Sequence, residues 1–278
     1  MVRPLVVLLC LLLAGCSGAV RIAYDNADAI ARWKADNYLQ LDGPDSEELD
    51  ERIDAFHLWH RTHALPQYAK IADEGARRME RGLSQGDLVW GYDSLVAQGT
   101  ESLRAAAERL APLLDRVGAG QVRHIERGFA EDNRKFAKEF LRGSEEERRR
   151  RRLKRYVERI EDWVGRLSDA QVERVRQFAG RVPPAEEMAA RDRQRLQAGI
   201  LDIVRSGRAR ERLAGYVAGW REGRDPAYAA ASETWRREVF ALALDLDRML
   251  TPEQRTRAIA RLRGYAADFA ALAEKRAP

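Results

Sequence analysis

Apolar residues recur along this chain at steps of three and four, and no stretch alternates apolar and polar with the step of two that a half-buried strand needs. Ile30, Trp33, Asn37 and Leu41 outline a first helix with one polar interruption. Leu153, Tyr156, Val157, Ile160, Val164 and Leu167 form a cleaner stripe. Trp235, Val239, Leu242, Leu246 and Met249 make another, and Ile259, Leu262, Tyr265, Phe269 and Leu272 the last. Between the stripes stand capping and breaking residues: Gly43-Pro44, Gly82 before Ser84, Gly118 and Gly120, Gly143-Ser144, Leu167-Ser168, Gly207 and the Gly223 to Pro226 stretch. The pattern predicts an all-α multi-helix bundle of about nine or ten helices with no sheet. The helical body is expected over 26–278. Pro183-Pro184, the strongest break, divides it into candidate halves 26–182 and 185–278.

Three helix starts share a local pattern of an apolar residue, a capping position and a glutamine three further on. They are Val117 to Gln121, Leu167 to Gln171 and Leu250 to Gln254. Ser168 with Gln171 and Thr251 with Gln254 read as capping boxes, in which hydroxyl and amide each satisfy the other residue's backbone N–H. Pro252 takes the first helical position, where its missing N–H costs nothing. The last two starts also resemble the LTxxQ motif of small periplasmic helical proteins of the Spy and CpxP type. That resemblance covers two short segments and implies a chaperone-like role.

The N-terminus has a positive residue at Arg3, an apolar run from Leu5 to Leu13, and then Ala14-Gly15-Cys16. A short apolar run followed by small residues is the layout of a secretory signal peptide. The run is too short to cross a bilayer, which takes about 20 apolar residues. Leu13-Ala14-Gly15-Cys16 resembles the lipobox of bacterial lipoproteins. The resemblance implies cleavage before Cys16 and acylation of that cysteine, with 1–15 removed and 16–25 serving as a lipidated tether. Ser17, where an inner-membrane retention signal would place aspartate, points to the periplasmic face of the outer membrane in a Gram-negative cell. Cys10 leaves with the signal peptide, so an internal disulfide is not expected. The segment Tyr24-Asp25-Asn26-Ala27-Asp28 leading into Trp33, with Trp59-His60-Arg61, Leu65-Pro66 and Tyr68, is similar to an uncharacterised family of proteobacterial lipoproteins. That similarity adds a location and no chemistry.

Charged residues make up 33% of the chain and the net charge is +5. In an exported protein the polyanions within reach are headgroups and envelope polymers, so a nucleic-acid partner is not expected. Glu145-Glu146-Glu147 followed by Arg148 to Arg152 is the densest charge run; Glu–Arg pairs at i,i+4 predict a self-paired, solvated helix. Its alternative role is binding anionic envelope polymers.

His57, His60 and His63, with Asp54 one step earlier, form the sharpest chemical cluster. Imidazole is a common metal ligand, and neighbours three apart on a helix can share an ion. Three residues fanned along a straight helix reach a single ion poorly, because zinc–nitrogen bonds are only about 2.0–2.1 Å long. Pro66 denies the Thr62 carbonyl its partner and is expected to end or kink the helix near Leu65, placing His63 in a last turn. The bland alternative is a set of core histidines. Catalytic motifs are absent: the sequence has no GxSxG, HExxH, phosphate-binding loop or dinucleotide fingerprint. The expected protein is thus a non-enzymatic, lipid-anchored envelope module without a cofactor. It would present a helical surface to an unknown envelope protein or to unfolded clients. The alternative is a periplasmic metal-binding or metal-sensing protein using His57, His60 and His63.

Overall fold

Four helix starts are closed by reciprocal caps: Ser84 with Asp87, Ser144 with Glu147, Ser168 with Gln171 and Thr251 with Gln254. Gly118 has no side chain to offer, so its box is half made, with the Gln121 amide oxygen accepting from the Gly118 N–H. In a computed structural model, which describes residues 17–275, these starts and the breaks between them delimit eleven helices and no strand among the described residues. The architecture is the all-α multi-helix bundle the periodicity predicts, with slightly more helices. Cys16 and the signal-peptide segment lie outside the described residues.

Helix α1 is Ser17–Asp25 and α2 is Ala27–Leu39. Helix α3, residues 44–80, runs from Pro44–Trp59 through a π turn at His60–Ala64 into Leu65–Glu80. Then follow α4 (Gln85–Leu114) and α5 (119–141). After them come α6 (Glu145–Val164), α7 (Asp169–Arg181), α8 (Glu186–Arg205) and α9 (Ala209–Ala218). The chain closes with α10 (Pro226–Met249) and α11 (Pro252–Glu274).

Three apolar clusters fill the interior, and each draws on both sides of Pro183-Pro184. The first joins Leu39, Ile53, Leu113 and Ile125 to Ile203 and Leu213. The second sets Val20, Tyr24, Leu65 and Tyr68 against Tyr265, Phe269 and Leu272. The third sets Val164, Leu167, Val175 and Phe178 against Leu242, Leu246 and Ala258. Helix α11 lies along the second limb of α3, and α9 lies along α4. At the α2–α5 contact Gly128 leaves room for the ring of Tyr38, whose hydroxyl donates to Asp132 at 2.6 Å.

Two expectations are corrected here. Pro66 does not end α3. The Leu65 N–H donates to the His60 carbonyl, five residues back, and the wider turn carries the helix past the proline. His63 therefore sits in mid-helix, not in a last turn. The second correction concerns the first stripe. Leu41 is buried, but Ile30 and Trp33 point outward, 47% and 68% exposed. The inward face of α2 is instead built from Ala35, Tyr38 and Leu39.

The arginine-rich α6 pairs with itself and its neighbours, and only in part at the expected i,i+4 spacing. Glu146 does pair with Arg150 at 4.0 Å. Glu145 goes to Arg148 at 3.0 Å and to Arg152 at 2.6 Å, and Glu147 accepts from the Ser144 N–H. Arg152 is buried and reaches Glu186 at 2.6 Å.

Candidate functional sites: a tyrosine–imidazole junction and an arginine–aromatic face

Helix α1, in the segment assigned to a tether, packs on the body. Val20 and Tyr24 enter the second core cluster, Arg21 Nε meets Asp268 at 2.6 Å, and Lys275 meets Asp25 at 2.9 Å. Tyr24 thereby lands on the histidines of α3. Its hydroxyl and His60 Nδ1 share a hydrogen bond of 3.1 Å. The His57 ring lies 4.8 Å from the Tyr24 ring, and Arg61 stands over the same ring at 5.8 Å. Phe56 and Tyr68 complete the walls around His60.

His60 is 5% exposed, and burial followed by the neighbouring His57 pushes its pKa down to about 4. Burial, and then Arg61, lowers His57 as well. Tyr24 is held above its ordinary value by burial, with Arg61 opposing. All three groups are thus uncharged at neutral pH. The Nε2 atoms of His57 and His60 are buried with no protein partner.

His63 does not join them. It is exposed, its ring stacks on Trp59 at 5.7 Å, and its Nδ1 bonds Thr62 at 2.8 Å. Asp54 is exposed and paired with Arg32. Among the described residues no three histidine, cysteine, aspartate or glutamate side chains are placed to hold one metal ion.

A depressed histidine pKa has a direct consequence. Below pH 6.5 the unfolded chain takes up a proton on residue 60 that the folded chain refuses until about pH 4, so stability falls as pH falls through that window. The loss approaches about 3 kcal/mol at 1.36 kcal/mol per pH unit. Urea unfolding at pH 7 and pH 5 should show a drop in midpoint that His60→Phe reduces. An equal drop in the variant would show that residue 60 does not carry it.

A second constellation, which the sequence reading passed over as a mere break at Gly223 to Pro226, lies between α9 and α10. Buried Asp192 holds Arg195 at 2.9 Å and Arg224 at 3.3 Å. Arg195 in turn donates to the carbonyls of Trp220 and Glu222 at 2.9 and 2.8 Å, fixing the loop. Upon this clamp arginines and rings alternate. Arg224 lies over Tyr228 and Trp220 at 4.7 and 4.9 Å, Arg221 over Trp220 and Tyr92 at 4.9 and 5.7 Å, and Arg236 over Tyr92 at 5.2 Å. Arg221 also donates to the Tyr92 hydroxyl at 2.8 Å. Arg221 is exposed and Trp220 and Tyr92 are half-buried, so the ladder faces water. The signal was present in the sequence as Trp220-Arg221, Arg224 and Tyr228 spaced around a glycine.

Fold and sites together define a class: an all-α bundle with two imidazoles, His57 and His60, shut into a neutral junction and with a fixed arginine–aromatic face on its outer surface. The chain belongs to a family of unknown function (DUF6279), whose match covers residues 37–219. That span takes in all three α3 histidines and Asp192. It ends one residue before Trp220, and it leaves out α1, α10 and α11. No curated protein and no solved structure matches the chain.

Proposed function

We propose that this protein is a non-enzymatic interaction module of the cell envelope, carried by lipid on Cys16 at the periplasmic face of the outer membrane. Its binding face is the arginine–aromatic ladder. The observation that supports this reading is the Asp192 clamp beneath the ladder. Tryptophan, tyrosine and arginine concentrate binding energy at protein interfaces, and residues fixed before binding lose little freedom on it. The partner is an envelope protein; a chaperone-like mode is the version in which that partner is an unfolded client.

A photo-crosslinking residue at position 221, placed in cells, should give a discrete adduct that the same residue at exposed position 150 does not. Trp220→Ala should reduce that adduct by about tenfold, the loss of roughly one interface anchor. Indistinguishable patterns from positions 221 and 150 would dismiss the face.

The metal-binding reading takes second place. It has only the His57 and His60 Nε2 atoms to stand on, where zinc sites take three or four protein ligands. Binding of anionic polymers is weaker still, since Arg148 and Arg152 are already engaged by carboxylates.

A further inference from the structure

Helices α1 and α2 are almost one helix. The Ile30 N–H donates to the Asn26 carbonyl across the break, and Asn26 Nδ2 donates back to the Ile22 carbonyl. Along the outer side of this pair run Ile22, Asn26, Ile30, Trp33 and Asn37, all exposed, at steps of three and four. Ile22 and Trp33 are each 68% exposed. The opposite side, with Val20, Tyr24 and Leu39, is buried in the body. Leu58, 50% exposed, follows Asp54 by one turn on the neighbouring face of α3, where Arg32 ties Asp54 to α2. This outward strip of two isoleucines and a tryptophan belongs to none of the three core clusters.

Its occupant is indicated by where the strip begins. Ile22 follows Ser17, the residue next to Cys16 in sequence, by about 8 Å of helix rise at 1.5 Å per residue. Helix α1 is held to the body by the Arg21–Asp268 and Asp25–Lys275 pairs. A lipid on Cys16 therefore cannot hold the membrane away from this strip by a slack linker. We infer that Ile22, Ile30 and Trp33 lie in the headgroup region of the leaflet that carries the Cys16 lipid, so that the anchor and the strip together fix which side of the bundle faces the membrane. Tryptophan suits that depth because its ring is apolar and its N–H is polar. So small an apolar strip orients the protein and does not bind it to the bilayer alone.

The inference rests on the lipid anchor, and the test separates the two. With Cys10 removed and Cys16 acylated, one introduced cysteine is the only free thiol. Nitroxide labels are placed at Ile22→Cys, Trp33→Cys and Arg150→Cys in the acylated full chain, reconstituted into phosphatidylethanolamine–phosphatidylcholine vesicles. Labels at 22 and 33 should lose about fivefold in collision with a water-soluble nickel chelate and gain in collision with oxygen, while the label at 150 changes in neither. Metabolic fatty-acid labelling of the wild type and of Cys16→Ser runs in parallel. If the wild type takes no fatty acid, the anchor fails and the leaflet placement fails with it. If fatty acid is incorporated but position 33 stays open to the nickel chelate, the placement alone is overturned. Shielding of position 33 in vesicle-free Cys16→Ser protein that rises with protein concentration would assign the strip to a second copy of the chain and overturn it as well.

Discussion

Arg21→Ala should destabilise the protein by about 2–3 kcal/mol and free α1 from the body. Asp268 is 1% exposed, on the face of α11 that receives α1, and Arg21 is its ion-pair partner at 2.6 Å. Removing one member of a buried pair leaves the other charge in a poor solvent, which costs about 3–5 kcal/mol in enclosed cases. Arg21 is itself half exposed, so water can reach its vacated place and the cost falls below that range. The same residue brings Tyr24 over His60, so the junction should open with it. Hydrogen exchange of residues 17–25, measured against that of α11, reads the release directly. The double variant Arg21→Met, Asp268→Leu should recover most of the loss, because two apolar side chains replace a pair whose desolvation nearly cancels its attraction. A double variant as unstable as the single would show that the charge is not the reason.

The second large effect belongs to Gln254. Its amide does two jobs. The oxygen accepts from the Thr251 N–H at 3.1 Å, completing the cap of α11, and from Gln171 Nε2 at 2.8 Å. Its Nε2 donates to the Arg166 carbonyl at 2.9 Å and to Gln171 Oε1 at 3.1 Å. Gln171 mirrors every one of these bonds: its oxygen accepts from the Ser168 N–H at 2.9 Å and its Nε2 donates to the Met249 carbonyl at 3.1 Å. Met249 precedes Thr251 by two positions and Arg166 precedes Ser168 by two, so the correspondence holds residue for residue. Gln254→Leu keeps the volume and strips the bonds, leaving buried partners unpaired at about 1–3 kcal/mol each where water cannot replace the loss. A fall of about 3–4 kcal/mol in unfolding free energy is expected. Gln121→Leu, at the exposed third start with its half-made box, should cost under about 1 kcal/mol. Equal effects at 254 and 121 would reduce the pair to ordinary capping.

These two glutamines show how far the chain could be read in advance. Both capping boxes were legible, because Ser or Thr followed three places later by Gln is a local signal whose geometry needs nothing beyond one turn. Their meeting across 83 residues was not, since nothing local reports which helix start faces which. Stripe periodicity behaved likewise. It showed that Ile30 and Trp33 share a face of α2, and it could not show that the face looks outward. Packing of the opposite side through Ala35, Tyr38 and Leu39 decided that. Among the histidines, adjacency of His57 and His60 followed from their spacing. The contact of Tyr24 with them did not, because Tyr24 comes from a segment assigned to a tether. Pro66 misled for a simple reason: a missing N–H breaks an α turn, but a turn one residue wider can absorb it. Trp220 and its arginines were hidden by a glycine that marked a loop without showing what the loop displays.

The glutamine clasp has a consequence for the history and handling of this chain. Each helix junction, α6 to α7 and α10 to α11, offers the same group of atoms and receives the same group in return. That is the signature of an isologous contact, the kind that joins identical subunits about a two-fold axis. Here both copies sit in one polypeptide, so the contact forms at an effective concentration set by the intervening chain rather than by the number of molecules in the cell. Dilution, which would dissolve such a contact between separate chains, leaves it intact here.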